Sequence, residues 1–181
     1  MSRIPYAAPG PEAPQDLVDA ILARRGGRLL NLDRMLLQSP AFARGWNAFL
    51  GEVRTGLGLS PRLRELAICL VAVLNGADYE FHHHAPEFMK AGGTAEQLAA
   101  LRRLEHGVLD PALFDASERA VVRLTFEMTR DVRTADATFA AAIAALGNHQ
   151  HVVELVGVIA TYNMVSRFLL ALHIEPEALA S

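Results

Sequence analysis

The residues able to do chemistry gather in two short stretches, Arg64-Glu65-Leu66-Ala67 and Asp78-Tyr79-Glu80-Phe81-His82-His83-His84. Glu65 lies in a segment where Leu63, Leu66, Ala67, Leu70, Val71, Val73 and Leu74 leave little polar face. A carboxylate there costs free energy unless it is hydrogen-bonded, paired or protonated, so it is either a satisfied structural group or an acid/base group. Glu65 and Cys69 stand four apart and share a helix face; so do Glu80 and His84, and His83 and Glu87. His82 points about 100° from His83 and about 200° from His84, so the three imidazoles cannot converge from one helix. An imidazole beside a carboxylate is an acid/base pair usable near neutral pH. The HxxxH and HExxH spacings are missing, so a metal would need ligands from elsewhere, and none is expected.

The elements that must position these groups read as helices. Residues 1–14 hold four prolines and predict an extended arm. Leu17, Val18, Ile21 and Leu22 have helical spacing, stopped by Gly26-Gly27. A short helix is expected over 29–37, and Ser39-Pro40 reads as an N-cap with proline at the first helical position. Helices are then expected over 41–53, over 62–74 behind Ser60-Pro61, and over 78–91 with Asp78 as a cap. Thr94 to Gln97 and Asp115 to Glu118 are capping boxes, and Thr134 or Asp136 starts a helix ending at Gly147. Strand alternation is almost absent. The pattern predicts an all-α single domain of about eight helices over 15–181.

The last segment, 149–172, is apolar almost all round and should be buried or lie at a subunit interface. It carries Glu154, Tyr162, Asn163, Ser166 and Arg167. Arg167 has two readings: a binder of a substrate carboxylate, or an ion pair with Glu154, Glu65 or a partner subunit. His149 and His151 read as solvated or capping groups, and His106 and His173 as surface residues.

Composition narrows the classes. Of 181 residues, 51% are hydrophobic and 20% charged, a globular balance. A net charge of -3 without a run of Lys or Arg argues against nucleic acid and anionic membrane partners. No apolar stretch is expected to reach the ~18 residues of a membrane span, and residues 1–14 lack a signal core. Cys69 is the only cysteine, so no intrachain disulfide forms and a cytoplasmic setting is expected.

The run Leu59-Ser60-Pro61-Arg62-Leu63-Arg64-Glu65-Leu66-Ala67-Ile68, then Gly76-Ala77-Asp78-Tyr79-Glu80-Phe81-His82-His83-His84-Ala85-Pro86, then Ala91-Gly92, resembles the carboxymuconolactone decarboxylase family, within the alkyl hydroperoxidase D-like (AhpD-like) superfamily. The resemblance implies an AhpD-like all-α bundle and a homo-oligomer, commonly a trimer or hexamer. It implies either cofactor-independent decarboxylation of an unsaturated lactone bearing a carboxylate, or peroxide reduction through a Cys-x-x-Cys dithiol. Carried over, the family glutamate falls on Glu65 and the relay histidine on His84, while the dithiol positions fall on Ala77 and Glu80. Neither thiol is present, so the peroxidase pattern is broken where it matters. Phe81 stands where the decarboxylases usually have Trp.

Three readings follow. The first is acid/base chemistry without cofactor on a small carboxylate-bearing lactone or keto acid. Its catalytic residues are Glu65, His84 and Glu80, and its substrate contacts come from Tyr79, Phe81, His83, Cys69 and Arg167. The second is an AhpD-like antioxidant activity with Cys69 as a displaced peroxidatic thiol, against which stands Cys69 as a small buried hydrophobe. The third is a non-catalytic oligomeric binding protein on an inherited fold.

Overall fold

The computed structural model describes residues 1–8, 14–104, 106–107 and 109–177. Among them all regular structure is helical: nine α-helices, α1 (Gln15–Arg25), α2 (Asn31–Leu36), α3 (Pro40–Thr55), α4 (Pro61–Asn75), α5 (Asp78–Lys90), α6 (Ala95–Arg102), α7 (Ala116–Arg130), α8 (Asp136–Leu146) and α9 (His149–Leu172). The all-α expectation holds, with one helix more than expected. The helices fall into two compact units, Met1–Leu57 with Leu169–Ser181, and Gly58–Phe168.

In the first unit α1 and α2 both pack on α3. Leu17, Ile21, Leu32, Met35, Trp46 and Leu50 are its buried apolar side chains, matching the 3–4 spacing that predicted the helices. Asp33 is buried beneath them and accepts from Arg24 at 3.3 Å, Arg25 at 3.3 Å and the Leu30 amide at 3.0 Å. The described part of the N-terminal arm is tied down by its backbone: Arg3 N–H donates to the Leu172 carbonyl at 3.0 Å and Ala7 N–H to the Arg34 carbonyl at 3.1 Å.

In the second unit α4 is the axis, packed by α5, α6 and α7, with α8 on α7. Every residue from 65 to 72 is buried, as a helix without a polar face demands. Asn75-Gly76-Ala77 then turns the chain into α5. Gly76 takes φ 68°, where a side chain would be strained. The Gly76 amide donates to Val73 O at 3.2 Å and the Ala77 amide to Ala72 O at 2.8 Å, the paired bonds of a Schellman turn. That turn fixes the approach of α5 to α4.

Some cap expectations are corrected. Ser39 occupies the expected N-cap position, with Pro40 first in the helix, but its side chain makes no cap hydrogen bond. Asp78 lies inside α5, and Ala77 is the N-cap. α8 starts at Asp136, one of its two expected starts, with Ala135 as the N-cap. The capping boxes form as expected: the Gln97 amide donates to Thr94 Oγ1 at 3.2 Å, and the Glu118 amide to Asp115 Oδ1 at 2.8 Å.

α9 corrects one expectation. It is 24 residues long, with a window of mean hydropathy 1.6, so an apolar stretch long enough to cross a membrane does exist by length and composition. The core helix of a soluble protein meets the same criterion. Part of its surface is open in the single chain: Val153 is 70% exposed, and Met164 and Leu170 are exposed too. Its buried seam runs through Leu155, Val158, Ile159, Tyr162, Val165 and Leu169, one stripe of the cylinder.

Candidate active site

Glu65 comes from the second turn of α4 and His84 from the second turn of α5, brought together by the Gly76 turn. His84 Nδ1 lies 2.6 Å from Glu65 Oε2. Its other nitrogen, Nε2, faces Glu80 Oε2 at 3.2 Å, the i,i+4 partner expected from spacing. The imidazole thus sits between two carboxylates, and all three side chains are buried. Arg64 Nε donates to the other Glu65 oxygen, Oε1, at 3.2 Å. The four groups carry two negative and two positive charges when ionised, the balance burial requires.

The electrostatics follow from that balance. Burial pushes the Glu65 carboxyl up, but the His84 hydrogen bond and charge, with Arg64 behind them, outweigh it and hold the group below its ordinary 4.5. Burial pushes His84 down, but its contacts with Glu65 and Glu80 outweigh it and hold the imidazole above its ordinary 6.5. With a carboxylate at each nitrogen, both nitrogens are best used as donors, which is the imidazolium.

The surround is aromatic. Tyr162 of α9 meets the His84 ring edge to face, centroids 5.0 Å apart at 83°. Tyr79 packs on His83 at 4.5 Å, and both lie on the α5 face next to the Glu80–His84 one. Glu87, the i,i+4 residue from His83, accepts from Lys90 at 2.6 Å on the exposed side. Phe81 is covered by the Arg102 guanidinium, 3.9 Å from the ring centroid.

Arg167 and Cys69 stand in unlike settings. Arg167 makes no ion pair with Glu154 or Glu65; its Nη1 donates to the Asn163 carbonyl at 2.9 Å and to Asn163 Oδ1 at 3.1 Å. Glu154 is occupied by the Gly58 and Leu59 amides at 3.2 and 2.7 Å, and Glu65 by Arg64. Cys69 is fully buried. Burial first, then the negative charges of Glu65 and Glu80, push its thiol far above the ordinary 9.0. A thiol so placed is a poor nucleophile.

Three residues with a bearing on the site had no role in the sequence reading. Arg64 was visible as the neighbour of Glu65, yet adjacent helical residues do not ordinarily face each other. Tyr162 and Arg102 reach the site from α9 and α6, and no spacing rule connects those helices to α5. Among the described residues no group of three or more His, Cys, Asp or Glu side chains is arranged to hold a metal ion.

Comparison with known proteins supplies the context. Residues 40–127 match the carboxymuconolactone decarboxylase family. Among solved structures, a peroxidase-related protein from Silicibacter sp. TM1040 superposes with a TM-score of 0.78 at 19% identity, covering 97% of this chain and 94% of that one. A putative antioxidant defence protein AhpD from Agrobacterium tumefaciens gives a TM-score of 0.68 at 18% identity, covering 79% and 95%. The debrominase Bmp8 in complex with 2,3,4-tribromopyrrole gives 0.75 at 16% identity, covering 98% and 95%. Likeness at such identities speaks for the shared AhpD-like fold alone. No curated protein matches the chain. Within the matched stretch Glu65 and His84, where the resemblance puts the family glutamate and histidine, are in direct contact, and Glu80, where it puts the second dithiol cysteine, is the second carboxylate on that histidine.

Proposed function

We propose that this protein is a cofactor-independent enzyme that moves protons on a small carboxylate-bearing lactone or keto acid, decarboxylating or isomerising it. The observation that carries the proposal is His84 between two carboxylates, at 2.6 Å from Glu65 and 3.2 Å from Glu80. An imidazolium so held is a proton carrier: it gives the Nδ1 proton to Glu65, stays as a neutral ring with its Nε2 proton toward Glu80, and takes the proton back at Nδ1 when Glu65 returns it.

In an isomerisation, Glu65 takes a proton from the carbon next to the carbonyl. The C–H electron pair enters the enolate, and the proton returns to a different carbon. In a decarboxylation, the bond from carbon to carboxylate breaks and its electron pair passes into the conjugated carbonyl. Carbon dioxide leaves, and the resulting carbanion is protonated by Glu65, which draws on His84 and ultimately on water. Burial makes both plausible energetically, since charge moved between fixed groups in a dry site needs little solvent reorganisation. Tyr79 and Glu80 position the reacting groups. Homo-oligomerisation, with exposed Val153 and Met164 of α9 available for contact, and cytoplasmic residence belong to the same proposal.

Carbon dioxide release and deuterium uptake from heavy water, measured on a panel of unsaturated lactone carboxylates, test it. Glu65→Gln and His84→Gln should each lower kcat by about 10²–10⁴, the range for a lost acid/base group. Full turnover in both variants sinks the assignment. The names of the Silicibacter and Agrobacterium structures motivate a thiol-peroxidase reading as well. Buried Cys69 and the missing dithiol oppose it, and sulfenate formation at Cys69 under dilute peroxide would revive it.

A further inference from the structure

An anionic substrate approaching Glu65 and Glu80 meets two carboxylates, so binding needs a cation that those groups have not already taken. Arg64 is engaged by Glu65 at 3.2 Å, and Arg167 by Asn163 at 2.9 and 3.1 Å. Arg102, the last residue of α6, differs. Its guanidinium lies 3.9 Å over the Phe81 ring, and among the described residues it makes no hydrogen bond or ion pair with an acidic group. It is exposed, so ligand can reach it, while Phe81 beneath it is buried. Phe81 directly follows Glu80 on α5, and α6 packs on α4, so three helices bring the guanidinium to the neighbourhood of the reacting groups. The Arg102 charge is also felt at the Cys69 thiol, one turn from Glu65 on α4.

We propose that Arg102, held over Phe81, is the anchor for the carboxylate of the substrate. A guanidinium held against a ring face is restricted in position, and its N–H groups form the fork that takes a carboxylate with two parallel hydrogen bonds. Its ordering has been met before the ligand arrives, so less freedom is lost on binding. The ligand class is a small planar organic acid with a carboxylate remote from the reacting carbon. The inference rests on the proton-transfer reading for what happens next, but the anchor itself is a binding claim and is tested without turnover.

The probe is muconolactone, an unsaturated lactone with one carboxylate, against its methyl ester, titrated calorimetrically into the full chain. The unaltered protein should bind the acid at least about tenfold more tightly than the ester, the scale of one charge-assisted contact. Arg102→Gln should erase that preference, Arg102→Lys should keep part of it because a point charge survives without the fork, and Phe81→Leu should weaken it severalfold. Arg102 is exposed, so Arg102→Gln should melt with the unaltered protein; Phe81→Leu is read only if its melting is likewise cooperative. Equal preference in Arg102→Gln and in the unaltered protein overturns the anchor, as does no acid-over-ester preference in the unaltered protein. An Arg102-dependent preference without any turnover upholds the anchor and sinks the proposed chemistry. Turnover that survives in Arg102→Gln with KM unchanged does the reverse.

Discussion

Removing the Glu65–His84 contact should reveal one strongly coupled pair. The contact is 2.6 Å long between buried side chains, 6% and 7% exposed. Truncating one member of a buried pair ordinarily costs about 3–5 kcal/mol, largely because its partner is left charged and alone. Neither partner is left alone here: Glu65 keeps Arg64 at 3.2 Å and His84 keeps Glu80 at 3.2 Å. Glutamine at either position also retains a hydrogen-bonding atom. Each single variant, Glu65→Gln or His84→Gln, should therefore lose about 2–3 kcal/mol. The double variant should lose less than the sum by about 1.5–2.5 kcal/mol, the worth of a short charge-assisted bond. The assay is urea unfolding of the four proteins at a series of pH values. Glu65 is held low, so its share is present above 4.5 and is lost as pH falls through the folded value. His84 is held high, so its share is complete below 6.5 and is lost as pH rises through the folded value. Coupling should peak between pH 4.5 and 6.5 and decline on both sides. A coupling below about 0.5 kcal/mol throughout, or one that grows steadily toward pH 9, refutes the ion-pair reasoning.

Two further perturbations test the frame around the site. Asp33→Ala should cost about 3 kcal/mol in urea unfolding, since it strands Arg24, Arg25 and the Leu30 amide around a buried position; a loss under about 1 kcal/mol would show that Asp33 is not the centre of that cluster. Gly93→Ala should lower stability by about 1–3 kcal/mol, because a Cβ there would fall 2.2 Å from the Phe88 ring at the end of α5; an unchanged denaturation midpoint would mean that the turn is looser than the structure has it.

The sequence spoke most clearly where a rule acts over a few residues. The Glu80–His84 pair, the boxes at Thr94–Gln97 and Asp115–Glu118, and the stop at Gly76 are all short-range devices, and all are present. The Glu65–His84 contact crosses a turn between two helices, and no periodicity joins positions 65 and 84; the family resemblance put both in one site before geometry did. Of the carboxylates expected for Arg167 on its own chain, Glu154 and Glu65 have other partners, and the guanidinium bonds back one turn to Asn163, a contact that charge pattern does not announce. Arg102 was invisible for another reason: it reads as an ordinary surface charge closing α6, and only the packing of α5 and α6 on α4 lays it over Phe81.

The protonation state of His84 bears most directly on the whole account, and nitrogen-15 NMR of the histidine ring across pH reads it. The structure calls for both ring nitrogens protonated at pH 6.5, with titration to a singly protonated ring only at higher pH, and for that titration to move down in Glu65→Gln. A ring already neutral at pH 6, with one bare nitrogen, would contradict a proton carrier held between two carboxylates.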